Sequence, residues 1–111
     1  MGKDKDRLQG TLDLLILKTL EVRGAAHGYA IAAHIDRISE ALLRIEEGSL
    51  YPALHRLEQE GLIRGEWQMS ETNRRARLYQ LRPAGRRRLA DKQQQWRRLV
   101  AGVATVLAQE I

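Results

Sequence analysis

The sequence predicts a mainly α fold with one small β-hairpin, and three observations lead there. Apolar residues recur at helical spacing in three stretches of the first sixty positions; two short runs of alternating residues follow; and the last segment opens on a proline and contains no other. With 111 residues the chain holds one domain plus a single long helix, not two full cores. Hydrophobic residues make up 43% of it, enough for a core, and with no Phe, three Tyr and two Trp that core must be built from Leu, Ile, Val and Ala.

Thr11 is placed to cap a helix over LDLLILKTLEV, whose apolar residues nearly surround the axis, so this helix should be buried and Gly24 should end it. In YAIAAHIDRI, Ile31, Ile35 and Ile38 recur at i, i+4 and i+7, the stripe of a second, amphipathic helix. Between Ser39 and Glu47 the pattern loosens, with Leu42, Leu43 and Ile45 expected to tuck under the next element. In the third helix Ser49 can serve as cap and Pro52 falls in the first turn, where a missing amide hydrogen costs nothing. Leu50, Leu54 and Leu57 form its inner stripe, and Gly61 ends it. Its opposite face carries Pro52, His55, Arg56 and Gln59, with Tyr51 on the flank. Such side chains can read base edges and phosphates, although inert surface helices carry similar faces.

Two alternating runs follow. In IRGEWQM, Ile63, Gly65, Trp67 and Met69 alternate with polar residues; RLYQLR alternates likewise; the turn-forming stretch Ser70–Arg75 joins them into a hairpin with a basic tip. Three helices and then a hairpin, the third helix polar outside, is the order of a winged helix-turn-helix, here residues 1–82. Arg74, Arg75 and Arg77 then form a wing that would sit against phosphates or dip into the minor groove.

Pro83 opens the last segment, residues 83–111, which can run as one helix from Ala84 to Ile111, roughly 40 Å at the usual rise per residue. Trp96, Leu99, Val103 and Val106 repeat with 3-4-3 spacing, supported by Leu89, Val100 and Leu107. A domain this small cannot cover so long a stripe, so the segment is expected to be a dimerisation helix paired with a second copy. Packing back onto the first helix of the same chain is the competing reading, and the two are compatible.

The net charge of +5 is concentrated. Between residues 74 and 98, Arg74, Arg75, Arg77, Arg82, Arg86, Arg87, Arg88, Lys92, Arg97 and Arg98 stand against Asp91 alone, whereas acids outnumber arginines between residues 36 and 66. Clustered arginine is the footprint of a polyanion binder, or, more blandly, of a solvated face. There is no Cys, hence no disulfide, thiolate metal site or Cys nucleophile, and the expected setting is the cytoplasm, with no secretory leader and no membrane span. Three His (27, 34 and 55) form no nucleophile–base constellation, and two of them, His27 and His34, make a poor zinc site without a third ligand. Ser49 lacks a strand-turn-helix elbow, and the glycines form no phosphate loop. No catalytic residue, metal or cofactor is therefore expected.

The stretch from Gly10 to Arg98 resembles the PadR family of bacterial transcriptional regulators. The matching pieces are GTLDLLILKTL (10–20), HGYAIA (27–32), EGSLYPALHRLEQEGLI (47–63), the Trp67 strand, NRRARLYQL (73–81) and PAGRR (83–87). EGSLYPALHRLE is the specific part. The resemblance implies a homodimeric repressor on double-stranded DNA, with DNA contacts at Ser49, Tyr51, Pro52 and Arg56 and, on the wing, at Asn73, Arg74 and Arg75; His55, Gln59 and Arg77 join that set from the reading above. A two-fold dimer implies an inverted-repeat operator. The resemblance also implies an alternative in which sensing is the main activity, a small aromatic effector entering between Trp96 and its dimer mate. Two departures stand out. Asn73 replaces the glycine usual before the wing arginines, which predicts a looser tip, and Arg82 stands where a capping threonine is usual.

Overall fold

The structure, a computed structural model, describes residues 2–111, with side chains from residue 10 onward. Helix α1 spans Gly2–Arg23, so Thr11, expected to cap it, lies inside it. Gly24 ends it in the left-handed region at φ 85°, where its N–H donates to the Leu20 carbonyl. Strand β1, Ala26–His27, leads directly into helix α2, Gly28–Ile38. Glu40 and Ala41 then take positive φ, and this left-handed turn swings the next residues outward. Leu42 is 86% exposed and Leu43 is also exposed, against the expectation that both tuck inward; only Ile45 returns to the core.

Helix α3 spans Glu47–Gln59 and is capped by the backbone of Glu46, whose carbonyl accepts from both Ser49 and Leu50 N–H. Ser49 thus lies in the first turn rather than at the cap, and Pro52 in the second, where it has no N–H to offer the exposed Gly48 carbonyl. The helix closes with a Schellman turn: Gly61, at φ 75°, donates to Glu58, and Leu62 N–H reaches the Leu57 carbonyl.

Strands β2, Ile63–Met69, and β3, Arg75–Leu81, form the expected hairpin. It is not alone. Strand β1 pairs antiparallel with β3, giving a three-stranded sheet in the order β1-β3-β2. At the tip Asn73 adopts φ 61°, its N–H donates to the Ser70 carbonyl, and Ser70 N–H donates to the Arg74 carbonyl. This is a type I turn closed by a left-handed residue, and asparagine, which tolerates that region, stands in for the family's glycine. The tip is tightly turned after all.

Helix α4 spans Pro83–Leu107, ending short of Ile111. Arg82 is its N-cap and makes no side-chain capping bond; its N–H instead donates to the Leu62 carbonyl. Gly85 lets α4 approach this closely, since a Cβ there would collide with the Leu62 carbonyl oxygen. The core joins Leu12, Ile16, Leu17 and Leu20 of α1 to Ile31, Ile35, Leu50, Leu54, Leu57, Ile63, Tyr79 and Leu89. Leu89, expected at the dimer seam, is 1% exposed and belongs to this chain's own core.

Candidate nucleic-acid interface

Two ion pairs hold α3 in place. On one side Arg56 makes a bidentate pair with Asp13 of α1, Nη1 to Oδ2 at 2.8 Å and Nη2 to Oδ1 at 2.7 Å. Asp13 is buried, and these two bonds satisfy it inside the domain. The hydrogen bond to Asp13 also holds the Arg56 guanidinium above its ordinary pKa. On the other side Glu58 accepts from Arg77 of β3, with Nε donating to Oε1 at 3.1 Å and Nη2 to Oε2. This pairing pulls the Glu58 carboxyl below the usual range, so it is ionised at neutral pH. Gly65 makes the room: a Cβ there would strike both Arg77 and the Glu58 carboxylate.

These pairs leave α3 with an outward face of Ser49, Tyr51, Pro52, His55 and Gln59, all exposed. Arg56, grouped with that face by sequence, and Arg77, grouped with the wing, are partly covered and bonded to carboxylates. Tyr51 lies across Gly28, at the start of α2, where a side chain would meet the ring. Asn73, Arg74 and Arg75 are exposed at the wing tip, and neither arginine forms an ion pair among the described residues.

The hairpin register puts Ile63, Gly65, Trp67 and Met69 on one face with Leu81, Tyr79, Arg77 and Arg75. The inner half of that face is core. The outer half is open, with Trp67 58% exposed and the Arg75 and Arg77 guanidinium groups over its ring, 4.8 and 5.2 Å from the centroid. A groove runs between helix and wing, with His55 and Gln59 on one bank and Trp67 and Arg77 on the other. A second, lined by Tyr51, Trp67 and Arg75, reaches His27 and Tyr29, whose rings stack at 5.6 Å. His27 is anchored through Nδ1 to the Arg77 carbonyl at 3.1 Å, so it and His34 do not share a helix face. Trp67, Glu58 and Asp13 are not among the site residues that the sequence offers, and His27 enters there only as half of a poor zinc pair. Trp67 alone had a local signal, a tryptophan at the outer end of an alternating strand.

Along α4, Trp96, Leu99, Val100, Val103, Val106 and Leu107 are all exposed. Trp96 borders an open apolar groove with Gly10, Thr11 and Leu14 of α1 and Lys92, Gln95 and Leu99 of α4. Among the described residues no three His, Cys, Asp or Glu are placed to hold a metal ion, and no helix is long and apolar enough to cross a membrane.

The profile of the transcriptional regulator PadR-like family matches residues 16–91. Among solved structures, a transcriptional regulator from Clostridium thermocellum superposes with a TM-score of 0.79 at 31% identity, covering 94% of this chain and 99% of that one. A PadR family transcriptional regulator from Eggerthella lenta gives a TM-score of 0.79 at 32% identity over 94% and 88% of the two chains. Transcriptional regulator Rv3488 of Mycobacterium tuberculosis is 44% identical over 48 residues, 43% of this chain and 44% of that protein, so the matched stretch spans less than half of that relative.

Proposed function

This chain belongs to the PadR-like family of transcriptional regulators, and from that premise we propose that it is a repressor binding an inverted-repeat operator as a homodimer. The observation that carries the reading is the presence of two exposed polar surfaces: Ser49, Tyr51, Pro52, His55 and Gln59 of α3, and the Asn73–Arg74–Arg75 wing tip. Two grooves lie between helix and hairpin, lined by Tyr51, His55 and Gln59 from the helix and by Trp67 and Arg75 from the hairpin. The helix face offers hydrogen-bonding groups of the kind that distinguish base edges, and the tip offers cations for phosphates. Arg56 and Arg77, bonded to Asp13 and Glu58, serve in this reading as positioning residues that aim the helix and the wing. The exposed apolar stripe of α4 is where a second copy packs. A dimer seated on promoter DNA excludes polymerase by its volume, which makes repression the simplest outcome.

Genome-wide footprinting tests this directly. Discrete protected sites with two-fold sequence symmetry, upstream of genes whose transcripts rise when the chain is removed, are expected. Protection without symmetry, or none, would sink the reading. The open groove at Trp96 favours one further role, an aromatic effector sensed at the dimer seam, checked by quenching of Trp96 fluorescence on titration with planar aromatic compounds. The family is one of transcriptional regulators, and we read the chain as a binding protein.

A further inference from the structure

We propose that Trp67 is a positioning residue that presents Arg75 to the DNA backbone, and that the recognition helix sets its place through Glu58 and Arg77. The inference rests on the DNA-binding reading above. Two guanidinium groups lie over one indole, but their N–H groups are differently employed. Arg77 gives its Nε and one Nη2 donor to the Glu58 carboxylate, which fixes its plane. Arg75 has no carboxylate partner among the described residues, so its contact with the ring leaves its donors free. A guanidinium held on an aromatic face has lost much of its wandering before any phosphate arrives, so less ordering remains at the moment of binding.

The contacts form a series. Glu58 on α3 holds Arg77, Arg77 lies over Trp67, and Trp67 carries Arg75. Gly65 leaves room beneath it, since a Cβ there would force the ends of the Arg77 and Glu58 side chains to shift. Arg75, one of two wing-tip arginines without an ion pair among the described residues, is thereby tied to the helix that faces the bases. A wandering arginine would meet any phosphate equally, whereas a tied one selects the phosphate in register with the base contacts. The indole itself adds little to the core, being more than half exposed on the outer half of the sheet face.

The test uses the full chain and a duplex that it selects from a random pool, with affinity measured over a range of salt for the wild type, Trp67→Ala, Arg75→Ala and the double variant. Arg75→Ala should weaken binding about tenfold per wing, as expected for a charge-assisted hydrogen bond, and flatten the salt slope by about one per wing. Trp67→Ala should cost about two- to fivefold per wing, the worth of an exposed cation–π contact. The double variant should bind no worse than Arg75→Ala alone. Losses that multiply in the double variant, or a Trp67→Ala chain with wild-type affinity, would overturn the inference. Should Trp67→Ala fail to fold, Trp67→Phe keeps a smaller ring and should lie between the wild type and Arg75→Ala.

A second readout needs no DNA. With Trp96→Phe, Trp67 is the only indole left, and adding Arg75→Ala should raise its quenching by acrylamide; unchanged quenching would mean that Arg75 does not cover the ring. A wild-type chain that selects no duplex overturns the DNA-binding reading and this inference with it. Normal selection combined with indifference at Trp67 overturns the inference alone.

Discussion

At the scale of single residues, Arg56 fits a base-reading pattern in the sequence while its guanidinium is bonded to a carboxylate of its own domain, and we read it as a strut. It lies on the polar face of α3 beside His55 and Gln59, where an arginine suits the reading of guanine. Its two bonds reach Asp13 of α1, and Asp13 is buried enough that losing them would leave a carboxylate without its partner. Arg56→Ala should therefore lower stability by about 1–3 kcal/mol and weaken binding to all duplexes alike. Paired melting curves and selection from a random pool separate the roles. An altered sequence preference at unchanged melting temperature would make Arg56 a reader of bases and not a strut. None of this was legible locally, because Asp13 and Arg56 lie 43 positions apart and nothing near either of them names the other.

At the scale of elements, the sequence carried what local periodicity can carry. Ile31 and Ile35 and the stripe Leu50–Leu54–Leu57 are buried as their spacing required, and the hairpin runs register as the alternation implied. Ile38, the third residue expected on the α2 stripe, is instead exposed at the end of its helix. What escaped was decided by partners distant in the chain. Strand β1 is two residues long, too short to alternate, and exists because β3 offers it an edge. Leu89 lies seven residues before Trp96 and fourteen before Val103, so spacing gives all three the same helix face; only the domain packed over the start of α4 buries Leu89 and leaves the others bare. Beyond Trp96 the stripe of Leu99, Val103 and Val106 meets water, which an isolated chain would hardly tolerate. Val103→Glu should put a charge into the proposed seam and turn the dimer into monomer or aggregate, as sedimentation at micromolar concentration would report. A variant that still sediments as a dimer would move the interface elsewhere.

At the scale of the whole molecule, the ion pairs and the long helix together fix a geometry that DNA can test. Within one protomer, Asp13–Arg56 and Glu58–Arg77 tie α3 to α1 and to the wing, while Gly85 lets α4 join the same body through Leu62. If two such bodies pair along α4, their recognition helices keep a set separation and a two-fold relation. Both must then enter the major groove from one side of the duplex, with half-site centres about one helical turn, or a multiple, apart. The arginines of the wing and of early α4, Arg86 to Arg88, are exposed and suited to the phosphates flanking each half-site, so affinity should fall steeply with added salt. Inserting about five base pairs between the half-sites, half a turn of B-form DNA, carries one of them to the far face. A rigid dimer cannot follow it, and affinity measured by competition should drop to the level of unrelated DNA, whereas inserting a full turn should cost less because both sites again face one way. Equal affinity for the half-turn insert and the uninterrupted operator would show that the two helices are not held as a symmetric pair, and α4 would then be something other than the axis of a dimer.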